Sequence, residues 1–234
     1  NKRIKMVIIP DSVHTIEEGA FEGCENLNLA DLSKQIKTIP NKCFSRCKRL
    51  KYIIGENIVE IGEEAFNLCV SLTEINLDYL TIAHNKAFYG CQNLKNFDFV
   101  SNLSYIGDYA FSNCKINSLF LNDCDYLGTN AFASCLELSE VIINNDIENV
   151  GETPFYCCSN ILHMEIRDSI SFRLFDLLAT NMGEFDSGDY KLSSVKLATL
   201  SPFICWNMKS LKNIEVTRPV NTIPNNAFQN CENL

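Results

Sequence analysis

The stretch IKMVIIPDSVHTIEEGAFEGC, which runs from Ile4 to Cys24, is one unit of a repeat that accounts for nearly the whole chain. Each unit begins with an apolar residue and has further apolar residues three and five positions later. A V-x2-I step and the string A-F-x2-C then lead to the next unit. The first residue of the unit falls at Ile4, Leu27, Leu50, Leu72, Leu94, Ile116, Leu138, Ile161, Leu192, Leu211 and Leu234.

Most of these steps are 22 or 23 residues long. A fixed period of this length, carried by several apolar columns at once, indicates a solenoid of stacked units. No unit can bury its apolar face alone, so the neighbouring units must supply the core. We therefore expect residues 1–234 to form a single domain of about ten units.

The opening segment of each unit alternates between apolar and free positions, which predicts a short strand with one buried face. Successive strands should pair in parallel. The residue three places after the start of the unit is apolar throughout, at Val7, Ala30, Ile53, Ile75, Phe97, Leu119, Val141, Met164, Val195 and Ile214.

The remainder of the unit is the crossover to the next strand. Proline or glycine often follows the V-x2-I step, as at Ile39-Pro40 and Ile61-Gly62, and is expected to set the dihedral angles of a turn. The helical spacing of Ala-Phe and Cys then predicts one helical or 3₁₀ turn, with the phenylalanine filling the interior. This column contains Phe21, Phe44, Phe66, Phe88, Phe111, Phe132, Phe155 and Phe228.

Strings such as VIIPDSVHTIEEGAFEGC, IVEIGEEAFNLC and NTIPNNAFQNC resemble the BspA-like (Treponema-type) leucine-rich repeat family, and the resemblance covers most of the chain. With the pattern above, it implies an α/β repeat solenoid. This is a right-handed superhelix with a parallel β-sheet on its concave face and short helical or 3₁₀ turns on its convex side. The family occurs mainly in surface-associated proteins of bacteria and some protozoa, and its members are linked to adhesion. The resemblance therefore implies a cell-surface or secreted protein whose partner is a host or extracellular matrix protein.

The net charge of −9 and the pI near 4.9 argue against binding to nucleic acid and against docking on anionic membranes. No run of 18 apolar residues could span a bilayer, and no basic-then-apolar signal opens the chain. The chain starts within three residues of a predicted strand and ends on Leu234, the first residue of another unit. Solenoid ends need polar caps, so we expect a fragment whose targeting elements lie elsewhere.

Twelve cysteines raise the question of disulfides, but the repeat accounts for most of them as small buried apolar residues. We expect reduced thiols in the main column and Cys157 to be the exposed one. Zinc is a second alternative, since Cys43 and Cys47 have half-site spacing, although the usual partner pair is missing. The main column contains Cys24, Cys47, Cys69, Cys91, Cys114, Cys135, Cys158 and Cys231.

The repeat pattern fails at 167–191. The string SFRLFDLLATNMG reads as a short amphipathic helix that Ser171 could cap and Gly183 could end, and an acidic loop follows it. This segment is either a degenerate repeat with an insertion or a protruding recognition element, since insertions on solenoids map to one face.

Residues two and four places after the start of each unit should point out of the sheet, on its concave face. Apolar residues among them, ringed by carboxylates, are typical of an interaction surface. The predicted partner-binding residues are Tyr52, Ile54, Glu74, Asp98, Phe120, Glu140, Ile142 and Glu165.

No nucleophile–base pair, phosphate-binding glycine loop or HExxH string appears, so we expect neither an enzyme nor a cofactor. The sequence carries no signal for an oligomeric state. Two functions remain open: a protein-binding module of a surface adhesin, and an intracellular scaffold or spacer. A signal peptide or anchor in the full-length gene would favour the adhesin.

Overall fold

The computed structural model of the chain describes residues 3–94, 97–145, 147–166, 191–198, 200, 205 and 208–234. The insertion predicted at 167–191, with its helix and acidic loop, lies outside the described residues apart from Lys191. In the described part, strands of successive units stack in parallel, so the predicted repeat solenoid is confirmed.

The opening segments of the units form strands, as predicted, and these strands make two sheets. Strands β1, β2, β4 and β6 form the N-terminal sheet, and β9, β11, β13, β14 and β15 form the C-terminal sheet; all neighbours are parallel. The register places equivalent residues side by side, so Val141 pairs with both Leu119 and Met164, and all three are buried. The bounds are β1 Met6–Ile8, β2 Leu29–Asp31, β4 Tyr52–Ile54, β6 Glu74–Ile75, β9 Ser118–Leu121, β11 Glu140–Ile143, β13 His163–Ile166, β14 Ser194–Leu197 and β15 Asn213–Val216.

One unit departs from this scheme between the two sheets. Where a strand was predicted after Leu94, a 3₁₀ helix spans Asp98–Asn102. Its backbone turns because the N–H of Val100 donates to the carbonyl of Phe97 at 3.0 Å, and Val100 is buried. The Phe97 ring still reaches the core, where it contacts the edge of Phe111 with centroids 6.3 Å apart. The unit keeps its interior contacts but interrupts the ladder of strands.

The V-x2-I step forms a second ladder of strands that was not predicted from the sequence. These strands are only two residues long, too short for an alternating pattern to be recognised. They form one parallel sheet in the order β12-β10-β8-β7-β5-β3, which we call the crossover sheet. In each strand the first residue faces outward and the second faces the core. The bounds are β3 Thr38–Ile39, β5 Glu60–Ile61, β7 Ile82–Ala83, β8 Tyr105–Ile106, β10 Tyr126–Leu127 and β12 Asn149–Val150.

The predicted helical turns are wrong for the described residues. The A-F-x2-C segment is instead a series of tight turns: the N–H of Ala65 donates to Gly62 within its own unit, whereas that of Phe66 donates to Ala87 of the next unit. Alternate residues therefore bond sideways to a neighbouring unit, which a helix cannot do. A positive φ at intervening residues also breaks helical continuity. It occurs at Lys42, Glu64, Lys86, Tyr109 and Asn130.

The phenylalanine column fills the interior, as predicted. Successive rings from Phe21 to Phe155 stack with centroids 5.2–5.6 Å apart and planes 6–13° from parallel. Aromatic pairs at such distances add about 0.5–1.5 kcal/mol each beyond the apolar area they bury. The stack therefore ties each unit to the next.

The main cysteine column has a role beyond filling space. The Sγ of Cys69 donates to the carbonyl of Phe44 at 3.1 Å, and five other column thiols make the same bond to the phenylalanine of the preceding unit at 3.1–3.3 Å. A thiolate cannot donate, so the contact requires the protonated form. Burial raises the pKa of Cys69, and it raises the pKa of Cys114 to about 12.

The glycines after the V-x2-I step are required by close approach of the backbones. Neither Gly128 nor Gly151 has a positive φ, so the backbone conformation does not by itself require glycine there. A Cβ built on Gly151 would lie 2.3 Å from the N of Thr129, and one on Gly128 would lie 2.4 Å from the carbonyl carbon of Gly107. Only glycine permits such close stacking of units without displacement.

Candidate functional site

The outward face of the N-terminal sheet carries two of the predicted apolar residues where the sequence places them. Tyr52 is 37 % exposed and Ile54 is 51 % exposed, both on β4. Two residues of β1 in the same outward columns extend the patch, since Met6 is 59 % and Ile8 is 64 % exposed. We call Met6, Ile8, Tyr52 and Ile54 the apolar patch.

The register shows that β2 lies between the two halves of the patch. Leu29 pairs with both Met6 and Tyr52, and Asp31 pairs with both Ile8 and Ile54. The patch therefore consists of two rows across three strands. Met6 and Ile8 were not among the predicted site residues, although they lie two and four places after Ile4 and so belong to the outward positions.

Carboxylates border the patch. Glu74 is exposed and pairs in register with Tyr52, as the prediction requires, and Asp31 lies between the two isoleucines. A carboxylate next to exposed apolar groups favours a partner with basic residues.

Of the two apolar residues predicted for the outward face of the C-terminal sheet, only one is exposed. Phe120 is 42 % exposed, but Ile142 is only 9 % exposed, so the prediction that Ile142 stands free is wrong. Ile142 points out of the sheet but pairs with Phe120 on one side and Glu165 on the other, and their side chains flank it. Glu140 is half-buried and lies between Ser118 and His163.

Glu165 also differs from its prediction as an exposed rim carboxylate. It is 7 % exposed, and its Oε1 lies 3.6 Å from the Nζ of Lys196 in the neighbouring strand. Lys196 reaches Glu215 as well, at 3.5 Å. This ion-pair row occupies the outward face of the C-terminal sheet, so Glu165 is part of a structural contact.

Asp98 begins the 3₁₀ helix and does not lie on a strand, contrary to the prediction. This helix stands between the N-terminal and C-terminal sheets, so Tyr52 and Phe120 belong to different sheets. The 3₁₀ helix therefore divides the face on which the predicted site residues were expected.

All twelve cysteines are free thiols, and ten are buried. Cys157 is partly exposed, as expected, but Cys231 is too. Within the described ranges, no three His, Cys, Asp or Glu side chains come together as metal ligands, and Cys43 and Cys47 are buried. Among the same residues, no helix has the length and apolar character needed to cross a bilayer.

Comparison with known proteins gives one family match. The model of the BspA type leucine rich repeat region matches residues 1–83, 60–174 and 189–234, in six copies. A search of curated proteins gave no match.

Several solved structures are similar to the chain. A leucine-rich repeat protein from Bacteroides ovatus is 24 % identical, with 100 % of this chain and 78 % of that chain covered and a TM-score of 0.49. A leucine rich cell surface protein from Faecalibacterium prausnitzii is 19 % identical, with coverages of 98 % and 77 % and a TM-score of 0.42. The pneumococcal vaccine antigen PcpA is 16 % identical, with coverages of 93 % and 57 % and a TM-score of 0.39.

Proposed function

The chain belongs to the BspA-type leucine-rich repeat family, and from this premise we propose that it is a protein-binding module of a cell-surface or secreted adhesin. The partner is a host or extracellular matrix protein, and it docks on the outward face of the N-terminal sheet. The proposal includes no enzymatic activity. The surface setting is supported by the family resemblance, since the family occurs mainly in surface-associated proteins.

The observation that carries the proposal is the apolar patch. Its four side chains keep between 37 % and 64 % of their surface exposed although they lie in two adjacent rows of a rigid sheet. Single exposed apolar residues are ordinary on protein surfaces, whereas a contiguous group bordered by charge is typical of an interface. A spacer would have no need of such a group.

The chemistry of the patch indicates what the partner presents. Aromatic anchors such as Tyr52 often contribute 2 kcal/mol or more to an interface. Glu74 and Asp31 beside the patch, with a net charge of −9 over the whole chain, favour a partner segment that combines apolar with basic side chains. The association rate should then fall as salt is raised.

Site-specific photocrosslinking tests the proposal. Ile54 is replaced by p-benzoylphenylalanine, and the protein is irradiated with an extract of extracellular matrix proteins. We expect one protein to be captured at this position and identified by mass spectrometry. The matched control carries the same group at Tyr79, an exposed aromatic position in a turn outside the N-terminal sheet.

Capture of the same protein at both positions would show a general adhesiveness with no site. Absence of any adduct at position 54, with a native circular dichroism spectrum, would contradict docking on this face. A scaffold or spacer role would then become the better account.

A further inference from the structure

A groove of about 490 Å³ lies on the crossover sheet, away from the strands that carry the apolar patch. Pro40, Gly62 and His84, which occupy the same place in three successive units, line it. Glu60 and Tyr105 from the outward column of the crossover sheet also line it. The groove therefore spans several units of the solenoid.

His84 differs in residue type from the equivalent positions of the neighbouring units. From Pro40 to Gly151 every other described unit has proline or glycine at this place, where unit backbones approach closely. At Gly107, for example, a Cβ would lie 2.5 Å from the N of Asn85. Between Pro40 and Gly151, His84 is therefore the one residue at this place whose side chain can form a hydrogen bond.

The side chain of His84 is held in a defined position. Its Nε2 lies 2.7 Å from Oε1 of Glu60 in the preceding unit. Its ring centroid lies 5.6 Å from that of Tyr105, which in turn stacks on Tyr126 at 4.5 Å. One wall of the groove is therefore a fixed row of aromatic rings beside a carboxylate, a preorganised arrangement.

The charged residues that line the groove are all acidic. Carboxylates of Glu18, Glu60 and Glu63 line it, and no lysine or arginine does. The nearby Lys86 lies outside the lining and pairs with Glu64 at 3.9 Å. Within the described residues, no three His, Cys, Asp or Glu side chains come together as the ligands of a metal ion. The complementary ligand is therefore an organic cation.

We propose that this groove docks an arginine side chain from an extended segment of a partner protein. A guanidinium fits better than an ammonium because its planar fork bonds carboxylates in pairs and packs against aromatic rings. Glu60 and Glu63 come from the same unit, on either side of Gly62 in the chain, and both line the groove. The groove lies on another sheet than the apolar patch, so it is a second, independent contact.

The probe is a fluorescein-labelled peptide of alternating glycine and arginine, with a citrulline version as a neutral isostere. Binding to the whole chain is measured by fluorescence anisotropy. We expect the arginine peptide to bind and the Glu60→Gln/Glu63→Gln double variant to bind it at least tenfold more weakly. The citrulline peptide should not bind.

The matched control is Glu148→Gln/Glu152→Gln, which changes the net charge by the same amount near the crossover sheet but outside the groove. It should alter the affinity less than twofold. A His84→Gly variant, which restores the residue of the neighbouring units, should also bind more weakly because Glu60 loses its partner. Circular dichroism confirms that each variant is folded.

Equal weakening by the two double variants would mean attraction by overall charge and would overturn the proposal, as would equal binding of the citrulline peptide. Failure of the arginine peptide to bind the wild-type chain at about 1 mM would also overturn it. A Tyr52→Ser change should leave peptide binding intact, so this result is separable from the fate of the apolar patch.

Discussion

Ile54 and Ile142 occupy the same place in the repeat, four residues after the start of their units, yet Ile54 is 51 % and Ile142 is 9 % exposed. The pairing partners explain the difference. Strand β6 ends at Ile75, so it pairs with Tyr52 and Ile53 but leaves Ile54 without a paired residue on that side. Ile142 lies between paired residues on both sides. The repeat determines which way a side chain points, and the neighbouring strands determine its solvent exposure.

The N-terminal and C-terminal sheets consequently offer different surfaces although they share one repeat. The first leaves Tyr52 and Ile54 open to solvent, whereas the second buries Ile142 and Glu165 on its outward face and leaves Phe120 exposed. In a solenoid, binding surfaces can thus arise where the ladder of strands shortens.

The largest expected effect tests what the two regions share. Phe66→Ala and Phe132→Ala should each lower the free energy of unfolding by about 3–5 kcal/mol, because both rings are fully buried and stacked on both sides. Urea denaturation monitored by circular dichroism measures this. A loss below about 1 kcal/mol at either position would mean that the column is loosely packed there.

A smaller effect tests where the regions differ. Ile142→Ala should cost about 2–4 kcal/mol, as buried isoleucines do, whereas Ile54→Ala should change the stability by about 0.5 kcal/mol or less. The two variants make the same chemical change at the same place in the repeat, so each is the control for the other. Equal costs would remove the distinction between an open and a closed face.

A still smaller effect concerns the thiol column that runs through both regions. Unfolded thiols ionise near pH 8.5, whereas burial raises the pKa of Cys114 to about 12 in the folded state. Above pH 8.5 the unfolded state therefore releases a proton that the folded state keeps. Stability should fall with pH by about 1.4 kcal/mol per unit for this thiol. Below pH 8 its contribution is fully present.

Denaturation curves of wild type and Cys114→Ala between pH 7 and 11 measure that slope. The variant should lose stability less steeply than the wild type above about pH 9 and in parallel with it below about pH 8. Parallel curves throughout would indicate that Cys114 ionises equally in the two states.

Much of the fold could be predicted because its signals repeat. Alternation over five residues in many units identifies the strands of the N-terminal and C-terminal sheets, and the phenylalanine column identifies the core. The two-residue strands of the crossover sheet are too short to alternate visibly. The spacing between Phe66 and Cys69 suits consecutive tight turns as well as a helix, and residue types alone do not reveal the positive φ of Glu64.

For the candidate site, the sequence predicted which way the strand side chains point but only partly how exposed they are. Tyr52 and Glu74 lie as expected because they depend only on strand alternation. Ile142 and Glu165 do not, because their exposure depends on partners in neighbouring strands, and Asp98 fails because its unit replaces the strand with a 3₁₀ helix. Residue types within one unit carry no information on such contacts.

The measurement that tests the central claim most directly is the affinity of the crosslinked partner for two single variants, Tyr52→Ser and Tyr79→Ser. Both remove an exposed tyrosine, so both should leave the stability within about 0.5 kcal/mol of the wild type. Docking on the N-terminal sheet predicts that Tyr52→Ser weakens binding about 30-fold, equivalent to about 2 kcal/mol, while Tyr79→Ser changes it less than about twofold. Equal affinities for the two folded variants would contradict the claim that the partner binds on this face.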